Sequence, residues 1–195
     1  WRPQQNGKKG GFGAINSKAP RPRQGVDGTI LELRFEFLDS LTSLPIVLDQ
    51  TYLTMFDFDG TNAGLRECFQ ARSPSMTTLA NASEIEMLPS DALDTMSSSI
   101  RERSLSNWSE PVLCSTSAGT NFDNPLHPLY LDRQQQQRSV MFTLENTSFF
   151  DVRFALLPCC ATGRNLVFAG YSNVGQPLCP LPPSAPPPPS LPPSP

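Results

Sequence analysis

The sequence is poor in the groups that most chemistry draws on. It holds a single histidine, His127, and none of its five cysteines forms a Cys-x-x-Cys pair. The spacings of structural zinc sites are therefore absent. A Ser/His/Asp or Cys/His centre would have one imidazole to use, and that imidazole lies between two prolines in PLHP, with no Gly-x-Ser-x-Gly elbow nearby. No pair of acids is singled out for glycoside hydrolysis, so an enzyme is not expected. There is no run of about 18 apolar residues that would read as a membrane-spanning helix. Basic surplus is lacking too: 15 Lys and Arg against 18 Asp and Glu give a net charge of −3, whereas a nucleic-acid partner calls for a basic face. KKGGFGAIN at Lys8 to Asn16 lacks both the strand before and the helix after that a phosphate-binding loop needs. The hydrophobic share of 38 % is low beside the roughly 45–50 % of globular chains. Part of that deficit comes from 21 prolines, many of them terminal.

What is present points to an oxidising, extracellular setting. The cysteines are Cys68, Cys114, Cys159, Cys160 and Cys179, and Asn-x-Ser/Thr triplets stand at Asn81, Asn107 and Asn146. The chain starts at Trp1 and not at Met, which is read as a processed protein or a fragment of a longer one. Spacing leaves the disulfide pairing open. The arrangement preferred here joins Cys68 to Cys114 across two central strands and Cys160 to Cys179 at the root of the tail, with Cys159 left over.

Residues 1 to 26 show no periodicity and read as a basic, Gly- and Pro-laced arm, on which Phe12 and Ile15 are exposed hydrophobes suited to docking on a neighbouring subunit. From Gly28 the pattern changes. In ILELRFEFL, Leu31, Leu33, Phe35 and Phe37 face one way and Glu32, Arg34 and Glu36 the other, which marks a half-buried strand. PIVLDQTYLTMFDFDG gives a second strand, and GLRECFQA continues it as a meander. MTTLA, SEIEML, the stretch around Ile100 and SEPVLCSTS add weaker strands. Asp132 caps a short helix in DRQQQQ. RSVMFTLEN and SFFDVRFALL, joined by ENTS, read as a hairpin, and GRNLVFAGY closes the set. Eight to ten short strands with almost no helix describe an all-β, two-sheet sandwich of jelly-roll type. The expected organisation is an arm over 1–26, the sandwich over 27–179 and a tail over 180–195.

The tail reads PLPPSAPPPPSLPPSP. Proline fixes φ and extends the residue before it, so the run favours a polyproline II rod, and sixteen residues at about 3.1 Å each span about 50 Å. With serine interrupting the proline runs, it resembles the hydroxyproline-rich segments of green-algal extracellular-matrix and flagellar-hair glycoproteins, the pherophorins among them. That resemblance implies hydroxylation and short sugar chains at Pro182, Pro183, Pro186, Pro187, Pro188 and Pro189. The sandwich resembles extracellular β-domains of algae and other protists. The likeness is carried by Phe56-Asp57-Phe58-Asp59, Gly119-Thr120-Asn121-Phe122-Asp123-Asn124-Pro125, Gln137-Arg138-Ser139-Val140 and Gly163-Arg164-Asn165-Leu166-Val167-Phe168-Ala169-Gly170.

DFDGTN at Asp57 to Asn62 offers clustered oxygens on a turn. Asp57 and Asp59 are candidate Ca²⁺ ligands, although Gly60 comes too early for an EF-hand and a hydrogen-bonded turn is the preferred reading of the motif. No other cofactor is expected. The function expected is that of a structural subunit, secreted and glycosylated, that associates with copies of itself in a filament or wall layer. The alternative is a carbohydrate-binding module presenting loops around Asp57–Asn62 and Asp123–Asn124.

Overall fold

The computed structural model describes residues 12–17, 28–62, 64–96, 108–120, 124–157 and 164–172. Ten strands run through them: β1 Gly13–Ser17, β2 Thr29–Glu36, β3 Leu48–Phe56, β4 Arg66–Ala71, β5 Met76–Leu79, β6 Ile85–Leu88, β7 Val112–Ser115, β8 Val140–Thr147, β9 Phe149–Leu157 and β10 Arg164–Ser172. Two helices of one turn or so, α1 Ala92–Met96 and α2 Arg133–Gln137, interrupt them.

The strands divide into two five-stranded antiparallel sheets, β1-β10-β3-β8-β5 and β2-β9-β4-β7-β6. Their pairing is nested: β1 bonds β10, β2 bonds β9, β3 bonds β8 and β4 bonds β7. Successive pairs fall alternately in the first and second sheet, which is a long hairpin rolled into a jelly roll. At its tip, β5 extends the first sheet beside β8 and β6 extends the second beside β7.

Alternation decides what lies between the sheets. Leu53, Met55, Val140, Phe142 and Leu144 of the first sheet pack on Phe69, Phe150, Val152, Phe154 and Leu156 of the second, with Phe58 filling one end. The aromatic rings interlock, with Phe69 5.4 Å from Phe142 and 6.2 Å from Phe58. Edge strand β2 keeps the alternation legible in its sequence, with Leu33 and Phe35 on the core and Glu32, Arg34 and Glu36 exposed.

Three expectations need correction. Phe12 and Ile15 are not docking residues on a free arm. Residues 13–17 form the edge strand of the first sheet in register with β10, Phe12 is 1 % exposed against Phe56 at 5.0 Å between ring centres, and Ile15 packs on the main core. The sandwich therefore starts inside the stretch read as an arm. β8 and β9 are not a hairpin, since they lie in different sheets. Asn146 at φ 48° and the Ser148 carbonyl, which accepts from Phe37 N at 2.8 Å, turn the chain from one sheet to the other. β3 and β4 likewise sit in opposite sheets and not side by side. α1 is an addition that the sequence reading leaves out.

Cys68 and Cys114 are register partners on β4 and β7 and are joined by a disulfide. The second expected pair, Cys160 and Cys179, lies outside the described residues, as do Cys159, Asn107, the stretch around Ile100, Asp123 and the tail prolines Pro182, Pro183, Pro186, Pro187, Pro188 and Pro189.

Candidate functional site

The outer face of the first sheet carries an aromatic groove. Side chains alternate along β3, so Leu53 and Met55 turn to the core while Tyr52, Thr54 and Phe56 turn outward. Register sets Tyr171 of β10 beside Tyr52, Ala169 beside Thr54 and Met141 of β8 on the other side of Thr54. Side chains on directly opposed strand residues stand about 5 Å apart at Cβ, so the two tyrosines form one platform. Tyr171 is 59 % exposed.

A loop builds the wall. In NPLHPLYLD, residues 124–132, Tyr130 N donates to His127 O at 3.3 Å and Leu129 N donates to His127 Nδ1 at 3.1 Å, closing a tight turn. The glutamines of α2 hold the loop at both ends: Gln135 Nε2 donates to Asn124 O at 3.3 Å and Gln136 Nε2 to Leu131 O at 2.9 Å. Asp132 caps that helix as expected, in a full capping box with Gln135. Leu131 then packs on Phe12, Phe56 and Val167. The result is a groove of about 570 Å³, floored by the β3, β8 and β10 side chains and walled by His127, Pro128 and Leu129. No charged side chain lines it. Leu129 in that wall and its loop neighbours Leu126 and Tyr130 are each more than three-quarters exposed, and grouped apolar exposure of this kind suits a contact surface.

One tautomer follows from the turn. Because Nδ1 of neutral His127 accepts a hydrogen bond, its proton sits on Nε2, which is then a donor. A polar line runs alongside: Tyr52 Oη donates to Gln50 Oε1 at 2.8 Å, and Gln50 Nε2 reaches Glu145 Oε1 at 3.5 Å.

The DFDG motif does something else. Gly60 N donates to Ser117 O and Gly119 N to Gly60 O, which seats the 57–60 turn on the segment after β7. A Cβ on Gly119 would stand 1.7 Å from Asp59 Oδ2, so only glycine fits there. Asp59 is 5 % exposed and takes Arg164 Nη1 on Oδ1 at 2.7 Å, and Glu67 lies 3.7 Å from Arg164 Nε. Arg164 comes from the first sheet and Glu67 from the second, so the cluster pins the sandwich together at this end. Burial, with Asp59 next in weight, pushes the Glu67 carboxyl well above the usual carboxylate range, against the pull of Arg164. Asp59 is thus met by a guanidinium of the chain itself. Asp57 adopts φ 65° at the turn, and among the described residues no group of three or more His, Cys, Asp or Glu side chains could hold a metal ion. The far side of the motif, Thr61 and Asn62, opens instead on a depression of about 490 Å³ beside the Arg66–Glu86 ion pair.

Of the expected sites, Asn81 and Asn146 are exposed and Cys68–Cys114 is joined. Asp57 and Asp59 come together with Glu67 and Arg164, whereas Asn124 braces its own loop by donating to Thr120 O at 3.2 Å. Comparison with protein-family models, with curated proteins and with solved structures gives no match. Sequence reasoning misses the groove: it reads the stretches holding Tyr52 and Tyr171 as strands but assigns no faces to them.

Proposed function

We propose that this domain is a non-catalytic subunit of an extracellular assembly, which joins copies of the chain through the groove on the outer face of its first sheet. The observation that carries the reading is the uncharged aromatic groove of Tyr52, Tyr171 and the His127–Leu129 wall. Solvent-facing tyrosines give large contact area at a low cost in side-chain entropy, which suits a recognition surface. The Cys68–Cys114 disulfide supports an oxidising compartment, and the exposed Asn81 and Asn146 sequons suit a secreted glycoprotein. A groove on one face that receives a different part of the next copy makes a heterologous contact, and such contacts propagate when they do not close.

Sedimentation velocity of the full chain tests this. A sedimentation coefficient that rises with concentration and returns to the monomer value in Tyr52→Ala/Tyr171→Ala is expected. A monomer throughout, up to about 1 mM, where even contacts worth only about 4 kcal/mol become visible, overturns the reading.

The polar line Tyr52–Gln50–Glu145 beside the platform favours a second reading, a secreted carbohydrate-binding module, because a sugar presents C–H bonds to aromatic faces and hydroxyls to neighbouring polar groups. Broadening of the Tyr52 and Tyr171 resonances by cell-wall oligosaccharides at millimolar concentration would favour it over self-association.

A further inference from the structure

The occupant of the groove can be named from the chain itself. We infer that the groove receives the proline-rich segment 180–195 of a second copy as a polyproline II rod. This rests on the assembly reading above and deepens it by naming the contact.

Three observations converge on that segment. The first is chemistry. A polyproline II rod has no internal hydrogen bonds, and its pyrrolidine rings present C–H bonds made electropositive by the adjacent amide, which pack on the electron-rich faces of aromatic rings. Aromatic-lined grooves are the recurring receptors for such rods, and the rod is already extended, so little ordering entropy is lost on docking. Tyr52 and Tyr171 stand side by side in register across β3 and β10, and Leu129 and His127 line the same groove. Residues along the rod recur on one face about every 9 Å, so one face of a four-proline run has more than one ring to set on the platform.

The second is charge. PLPPSAPPPPSLPPSP contains no ionisable side chain, and none lines the groove beyond the one neutral histidine and the tyrosines. The segment before β1 is different, with Arg2, Lys8, Lys9, Lys18, Arg21 and Arg23. A neutral groove matches the proline segment and wastes a basic one.

The third is position. Tyr171 belongs both to the groove and to the last strand, and the proline segment begins nine residues later in the sequence, at Pro180. Only residues 173–179 join that strand to the segment, so each chain offers one groove and one proline-rich segment, and placing each segment in the groove of the next copy is the arrangement that propagates.

The test uses the full chain and a synthetic peptide of residues 180–195. Amide shifts of Tyr52, His127 and Tyr171 are followed as the peptide is added, in parallel with sedimentation of the chain alone. The expected result is saturable movement of those amides. Binding should be about tenfold weaker or more in Tyr171→Ala, as for truncation of an aromatic anchor, and should be kept in Tyr171→Phe, which preserves the ring. The full chain with Pro186, Pro187, Pro188 and Pro189 all replaced by Gly should no longer self-associate. If the chain associates but the peptide leaves the groove amides unmoved, the tail is not the occupant and assembly uses another surface. If the chain is monomeric at every concentration and the glycine replacements shift the Tyr171 amide, the rod lies in its own groove and the second-copy assignment falls. If the chain is monomeric and the replacements change nothing, the assembly reading falls with it.

Discussion

The two sheets treat their outer faces differently. On the second sheet the row Ile30, Ala155, Cys68 and Cys114 is sealed: α1 lays Ala92 and Leu93 over it, and the disulfide lies underneath. Even Arg153, which points away from the core, is 1 % exposed, held by Glu32 at 2.9 Å and stacked under Trp108 at 4.6 Å. On the first sheet only one half is sealed, where Phe12 and Leu131 cover Phe56 and Val167. In the other half, among the described residues, Tyr52 is half-buried and Tyr171 is 59 % exposed. A sandwich folds on its two inner faces, so outer cover is additional stability, and a tyrosine ring that is 59 % exposed on an outer face is better explained by a ligand than by folding.

The comparison is broken from one side by removing cover from the second sheet. Replacing Cys68 and Cys114 by Ala together should cost about 2–5 kcal/mol, the usual loss for a native disulfide. Equilibrium denaturation in urea reads the loss as a lower midpoint. A loss below about 1 kcal/mol would mean that the cross-link only decorates a face already closed by α1.

Next comes the sealed half of the first sheet. Phe12→Ala should cost about 3–5 kcal/mol, as for a buried phenylalanine. Unchanged stability together with lost self-association would return Phe12 to the role of an exposed docking residue. The denaturation midpoint and the sedimentation coefficient, measured on one sample, separate the two.

Between the sheets, Glu67 gives a pH signature. Its folded carboxyl holds a proton more tightly than the unfolded one, so the stability linked to it is fully present below the ordinary carboxylate range. That part is lost as pH rises through the raised folded value. Glu67→Gln, which keeps the shape without the charge, should flatten this decline and leave the variant at least as stable as wild type at pH 8. Asp151 works in the opposite sense. Its hydrogen bond from Arg34 holds it below the usual range, so its contribution is present above that range and lost as pH falls. Denaturation midpoints from pH 3 to 9 should therefore lose only their alkaline slope in Glu67→Gln. Loss of the acidic slope instead would reverse the assignment.

Strands were easier to read in this sequence than sheets. Alternation marks β2, β8 and β9 because polar or charged residues stand between their core-facing ones, and Asp132 announces α2 as its N-cap. Sheet membership leaves no such mark. ENTS is as short as a hairpin turn, yet a single left-handed residue, Asn146, carries the chain to the other sheet. β1 is missed because its five residues are specified by β10, about 150 positions away, and not by their own pattern. At the cluster, the acids of DFDG are visible in the sequence, but their counter-ion Arg164 is not, since 105 residues separate it from Asp59. The groove escapes for a related reason: an outward tyrosine looks like any solvated position until the loop that walls it is placed.

The smallest effect on stability belongs to the open half of the first sheet. Tyr171→Ala removes a side chain that is 59 % exposed, so the loss should stay within about 0.5 kcal/mol, typical of surface positions. The Phe12 side chain, on the same face, should cost several times more. That ratio is informative because both residues are aromatic and sit by β10: Tyr171 belongs to it, and Phe12 directly precedes its partner strand β1. If Tyr171→Ala proved as costly as Phe12→Ala, the tyrosines would be cover like the rest, and the case for a ligand on this face would be gone. A near-neutral Tyr171→Ala that abolishes peptide binding would show aromatic surface kept for contact and not for folding.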